Sequence, residues 1–209
     1  VKLTDIIPNT HFVQFNLSDL LEHLGEDKVK TILSSFSCPQ NADVDNFLKT
    51  KAIEFSKRGF SKTHLVYWET DNKEKEFVGY YTIASKFITV QRSAVTSKEA
   101  RKLREHGIFD TKTNEYTVAA PLIAQLGKNF SNGNNALISG ADLLQMAIDK
   151  VRKVQNEVGG RFVYLECEEE RKLIEFYEAN NFKMFGKRNL DRDETDIKGH
   201  YLLQYFAML

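Results

Sequence analysis

The sequence predicts an α/β fold, a central mixed β-sheet with helices on both faces, and three observations predict it. Residues 63–69 and 76–85 are rich in β-branched and aromatic side chains and flank the turn sequence Thr70-Asp71-Asn72-Lys73, the pattern of an antiparallel hairpin. Further on, Leu143, Leu144, Ala147, Ile148, Val151 and Val154 recur at helical spacing and stop at Gly159-Gly160, the pattern of a long helix with one buried face. From there to the end of the sequence, strand-like and helix-like segments alternate, as they do where helices cover a sheet.

Each element follows from its own residues. Between Leu17 and Phe36, apolar residues at three-to-four spacing on either side of Gly25 predict two short amphipathic helices meeting at the glycine. Val44, Phe47, Leu48, Ala52 and Phe55 predict a third helix, with Asp43 as its N-cap and Gly59 as its stop. The hairpin comes next. Residues 86–115 are charged, carry a short helix near 97–105, and read as an excursion between strands. Residues 116–127 form an apolar strand interrupted by Pro121, which cannot donate a ladder hydrogen bond and so marks an edge, a strand start or a bulge. A polar loop over 128–140 opens the long helix. A strand at 162–167, a helix at 172–180 and strands at 182–188 and 201–208 complete the order.

At 209 residues the chain can bury one sizeable core. The expected organisation is an N-terminal helical extension over 1–40 packed on one domain over 41–209. Lys plus Arg and Asp plus Glu both number 29, so no global field draws in nucleic acid or an anionic membrane. No apolar run approaches the roughly 20 residues that cross a bilayer, and Val1-Lys2-Leu3-Thr4-Asp5 lacks the apolar core of a signal peptide. The expectation is a cytoplasmic protein. Cys38 and Cys167 read as free buried thiols, and the five histidines show no metal spacing, so no metal is expected.

The chemistry-bearing feature is a strand that feeds a glycine- and asparagine-containing loop opening a helix, because free backbone N–H groups and a positive dipole end suit a phosphate. The loop runs from Gly127-Lys128-Asn129 through Asn132-Gly133-Asn134-Asn135 to Ser139-Gly140, and Ala141 follows it. As a bare pattern it also fits an ordinary connecting loop.

Three features, in order, resemble the GNAT superfamily of acetyl-CoA-dependent N-acyltransferases. They are the strand Leu122-Ile123-Ala124-Gln125-Leu126-Gly127, the loop-to-helix turn ending at Gly140, and Tyr164-Leu165-Glu166-Cys167 followed by Phe176-Tyr177-Glu178-Ala179-Asn180-Asn181-Phe182. The resemblance implies acetyl-CoA as the cofactor, held by Gln125, Leu126, Gly127, Lys128, Asn132, Gly133, Asn135, Ser139, Gly140 and Ala141. It implies direct attack of an amine on the thioester, with Tyr177 as the acid that protonates the departing thiolate. Residues 47–63 and Val78-Gly79-Tyr80-Tyr81-Thr82 also resemble the branch containing toxins that acetylate aminoacyl-tRNA.

Among Glu166, Glu168, Glu169 and Glu170, the first is the best candidate base, because alternation sets it opposite Leu165 and Cys167; the others read as helix N-terminal charges. Tyr80, Tyr81 and Trp68 read as core or as an acceptor pocket. Lys98, Arg101, Lys102 and Arg104 would serve a nucleic acid only by facing the cofactor cleft, and otherwise form a solvated helix surface. The acceptor stays open among a small-molecule amine, a peptide and aminoacyl-tRNA, as does a homodimer. The reading from a different class is a non-catalytic protein that binds CoA or a partner on the same fold.

Overall fold

The computed structural model describes residues 11–192, 194, 196, 197 and 199–209, so the first ten residues of the expected extension lie outside it. The described chain opens with a strand, β1 (Phe12–Asn16), that the sequence reading did not foresee. Asn16 ends it and caps α1 (Leu17–Leu24) by accepting the Ser18 N–H at 2.9 Å. Gly25, at φ 79°, turns the chain into α2 (Glu26–Ser34), so the two helices do meet at the glycine.

The third helix is α3 (Ala42–Asn46), a π-turn at Phe47–Lys51 and α4 (Ala52–Lys57). Its cap is Asn41, whose side chain accepts the Val44 N–H, and not Asp43; the helix starts at Ala42, two residues before its apolar stripe. Strands β2 (Lys62–Glu69) and β3 (Lys75–Ala84) form the expected hairpin, with Lys73 in the left-handed region at the turn.

The excursion is more ordered than its charge suggested. It contains β4 (Phe87–Gln91), a 3-10 turn at Arg92–Ala94, α5 (Ser97–His106), β5 (Ile108–Asp110) and β6 (Glu115–Ala119), and the strands make a separate sheet in the order β4-β6-β5. The apolar run around Pro121 is therefore two strands in two sheets: β6, and β7 (Leu122–Lys128), which joins the main sheet. After a 3-10 segment at Ser131–Ala136 come α6 (Gly140–Val158), β8 (Phe162–Cys167), α7 (Arg171–Ala179), β9 (Lys183–Asn189) and β10 (Tyr201–Met208).

The main sheet runs β1-β2-β3-β7-β8-β10-β9, with β7 and β8 parallel and every other neighbouring pair antiparallel. One face packs on α6 and α7 through Val66, Val78, Tyr81, Ile123, Leu165 and Leu144. The other face packs at one end on α1, α2 and residues 42–57 through Leu65, Phe77 and Tyr80, and at the other on α5 and the small sheet through Phe162, Tyr164 and Phe206. Residues 11–40 thus supply an edge strand and two helices of this sheet, and Phe36 and Cys38 share a cluster with Val44 and Leu48. Both cysteines are free and buried, and burial pushes the Cys167 thiol up to about 12. No helix is long and apolar enough to cross a membrane among the described residues, and none of their His, Cys, Asp and Glu side chains group into a metal-holding set.

Candidate active site

The parallel pairing of β7 with β8 stops almost as soon as it starts. Leu122 pairs with Tyr164 and Ile123 with Leu165, and beyond them the ladder ends although both strands continue. On its other side β7 stays paired with β3 to Lys128, with a bulge that leaves Ala124 without a register partner between Ile123 and Gln125. The Pro121 carbonyl accepts the Tyr164 N–H at 3.0 Å, at the start of the β7–β8 contact that then opens. Ala124, Gln125 and Leu126 are half-buried along the resulting gap. An opened strand offers its backbone to an extended ligand arm.

Two further groups meet at the same end of the sheet. The first is the N-terminus of α6. Ser139 caps it, accepting the Asp142 N–H at 3.0 Å while the Asp142 carboxylate reaches back to the Ser139 N–H. This leaves the Gly140 and Ala141 N–H groups of the first turn for an outside acceptor. The second is Tyr177, on α7. Phe176 beside it reaches Gly140, where an added Cβ would lie 3.4 Å from the ring. Tyr177 itself lies among Phe176, Phe182 and Tyr205 in the cluster that holds Cys167 at the end of β8. Burial first, and then the nearby Cys167, raise its phenol well above the usual 10. Its hydroxyl has no hydrogen-bond partner among the described residues. The ring is buried, but the hydroxyl is not among the fully buried side-chain atoms left without a partner, so it stays open to an outside acceptor.

Much of the expected cofactor loop also has structural partners. Asn129 is buried: its amide donates to the Phe77 carbonyl at 2.8 Å and its oxygen accepts the Ser37 and Ser131 N–H groups. Asn134 donates to the same carbonyl at 3.2 Å, and the Ser131 hydroxyl donates to the Ser35 carbonyl. The front half of the loop is therefore sewn to β3 and to the chain after α2. Asn132 and Gly133 are the left-handed residues of its turn, and Asn132 lines a groove of about 300 Å³ beside α2. Asn135 is half-buried in the same 3-10 segment. The Lys128 ammonium donates to the Ile138 carbonyl at 2.9 Å, which holds it beside the turn into α6. Gly127 is explained by packing, since a Cβ there would sit 2.4 Å from Val44. Of the ten residues expected to hold a cofactor, the structure brings Gln125, Leu126, Ser139, Gly140 and Ala141 to the gap and the α6 N-terminus.

On the opposite face of the sheet from Tyr177, Gln125 donates to the Asp43 carboxylate at 2.8 Å. Glu166 points to this face, as alternation predicted, but it is not a free base. Its carboxylate accepts from Arg188 Nε and from Gln204 Nε2, each at 2.8 Å. Arg188 and its other partner Glu194 were missed, because the ion pair joins β8 to β9 and to the β9–β10 connection, and no local spacing announces it. The π-turn at 47–51 was missed too; such turns are frequent at functional sites. Tyr80 and Tyr81 are core, fully buried with hydroxyls given to the Val44 carbonyl and to Gln14, and Trp68 packs on Phe12. The basic helix α5 does not face the gap: Lys98 and Lys102 flank Phe162, the first residue of β8, at the end away from Glu166 and Cys167.

No protein-family model matches the sequence, and no curated protein matches it significantly. Solved structures do match. One is AtaT complexed with acetyl-methionyl-tRNAfMet, at 18% identity and a TM-score of 0.58 over 92% of this chain and 93% of that one. AtaTR bound with acetyl-CoA follows at 16% identity and 0.54, over 94% and 92%. A tyrosine-to-phenylalanine mutant of KacT gives 15% and 0.59, over 94% of each chain. The chain has the fold of these proteins, the GNAT fold that its motifs resembled.

Proposed function

We propose that the protein is an acetyl-CoA-dependent N-acetyltransferase acting on a primary amine. One observation carries the reading: the gap between β7 and β8, the open first turn of α6 and Tyr177, with its ring buried, converge at one end of the sheet. The Gly140 and Ala141 N–H groups suit a pyrophosphate, the half-buried edge of β7 suits the pantetheine arm, and the thioester supplies an activated acyl carbon. The neutral amine attacks that carbon and the C–N bond forms as the C–S bond breaks; Tyr177 gives its proton to the leaving sulfur, and the proton shed by the nitrogen passes to water, which restores the phenol. Burial keeps this phenol protonated throughout the physiological range. AtaTR has been crystallised with acetyl-CoA on the same fold, which supports the choice of cofactor.

The state of Glu166 bears on the acceptor. With its carboxylate held by Arg188 and Gln204, the site favours an amine that is already partly neutral. An α-amino group of pKa about 8 is roughly half neutral at pH 8, whereas a lysine of pKa about 10.4 is well under roughly 1% neutral. Aminoacyl-tRNA carries such an α-amine, and AtaT has been captured with an acetylated methionyl-tRNA.

Calorimetric titration of acetyl-CoA, followed by thiol release with aminoacyl-tRNA and with a lysine peptide of blocked N-terminus, tests both parts. Binding in the micromolar range and release with aminoacyl-tRNA alone support them. Equal release with the lysine peptide removes the α-amine preference, and absence of binding removes the transferase.

A further inference from the structure

The N-terminus of α6 carries an anion of its own. Asp142, in the first turn, accepts at one carboxylate oxygen both the Ser139 N–H at 3.3 Å and the Ser139 hydroxyl at 2.6 Å, while the Asp142 N–H donates back to Ser139 Oγ at 3.0 Å. A carboxylate is stabilised at the positive end of a helix dipole, and acids stand in the first turns of other helices of this chain too. There, however, lysines answer them: Glu26 of α2 pairs with Lys30 and Lys57, Asp45 of α3 with Lys49, and Glu99 of α5 with Lys183. Asp142 is exposed and pairs with no cation among the described residues. Its charge stands in the same turn as the Gly140 and Ala141 N–H groups that the cap leaves open. The Lys128 ammonium lies at the Ile138 carbonyl beside this turn, so a phosphate arriving there is drawn by one side chain and opposed by another.

We propose that Asp142 is a built-in competitor of the cofactor's pyrophosphate, and so the residue that sets how tightly the chain holds acetyl-CoA; the inference rests on the transferase reading above. The carboxylate occupies the Ser139 N–H, one donor of the turn, and repels phosphates from the next two. Acetyl-CoA and CoA carry the same pyrophosphate, so both are held less tightly and in the same proportion. The consequence is quick exchange of spent CoA for acetyl-CoA, with half-saturation moved to a higher acetyl-CoA concentration. Asp142 does not touch the reacting atoms. It acts on the phosphates, at the other end of the pantetheine arm from the thioester.

The test is calorimetry on the full chain, with acetyl-CoA and CoA as probes. Asp142→Asn keeps an oxygen for Ser139 and removes the charge. It is expected to tighten both Kd values by about threefold to tenfold at low ionic strength, the range for a carboxylate about 6 Å from a phosphate or a pyrophosphate dianion in a watery medium. The gain is expected to shrink towards nothing in about 1 M salt, where the screening length is about 3 Å. Asp142→Glu keeps both the charge and the capping box, and is expected to bind within about twofold of the native chain. If Asp142→Asn, folded by its thermal midpoint, binds no more tightly than the native chain at low salt, the proposal is overturned. A gain that salt leaves intact also overturns it, by assigning the effect to a reshaped turn, and so does a gain shared by Asp142→Glu. Tightening of acetyl-CoA without CoA overturns it by placing Asp142 at the thioester. No binding of acetyl-CoA by any of the three chains removes the transferase reading, and the competitor with it.

Discussion

Tyr177 and His64 are both buried aromatic side chains whose titration the fold has moved, and the two shifts have opposite consequences. The Tyr177 hydroxyl holds no structural partner, so Tyr177→Phe is expected to leave the urea midpoint nearly unchanged and the acetyl-CoA Kd within about twofold, while turnover falls by about 10²-fold or more. His64 is packed on Tyr81, and burial, followed by the charges of Lys150 and Lys62, lowers its pKa to about 4. The unfolded chain therefore takes up a proton that the folded chain refuses. The contribution is complete above about pH 6.5 and is lost as pH falls towards 4, by up to about 3 kcal/mol. Urea midpoints measured across that window are expected to fall more steeply for the native chain than for His64→Phe. Gly127→Ala is expected to cost about 1–3 kcal/mol, because the new methyl must displace Val44 and so part α3 from β7. The place of Tyr177 was legible from its motif, and the facing of Glu166 from strand alternation. The engagement of Glu166 was not, since its partners come from β9 and β10, 22 and 38 residues away.

Helices and strands with a strong period stood where their periods put them: α6, β8 and β10 match the expected segments closely because each carries an unbroken apolar face. The failures have physical causes. β1 is five residues long and reads as the approach to α1, and only its pairing with β2 makes it a strand. The small sheet hid inside a charged stretch because only one face of β4 and β6 is buried, in an alternation too short to outweigh the surrounding charge. The loop after β7 looked like one phosphate cradle, yet its glycine and asparagines serve two tasks. Asn129 and Asn134 bind backbone, and only the turn at Ser139–Ala141 opens toward the gap. Asn129→Ala is accordingly expected to destabilise the fold by about 2–3 kcal/mol, since it strands the Phe77 carbonyl and two N–H groups. Ser139→Ala should cost only about 1 kcal/mol but weaken acetyl-CoA binding, because losing the cap frays the first turn of α6. Thermal unfolding and calorimetry on the two variants separate the roles.

At the scale of the whole molecule, Tyr177 and the N-terminus of α6 lie on one face of the sheet and the Gln125–Asp43 and Arg188–Glu166 pairs on the other, with the parted β7 and β8 between them. On the proposed function, an acyl group in that gap would meet Tyr177 from one side and the amine from the other. Thiol release from acetyl-CoA by the native chain and by Tyr177→Phe, with aminoacyl-tRNA as acceptor and at matched cofactor occupancy from calorimetry, addresses the central claim. The account predicts release by the native chain and its loss, by about 10²-fold or more, in the variant that binds acetyl-CoA equally well. Equal release by both proteins, or acetyl-CoA binding with no release from either, would contradict it.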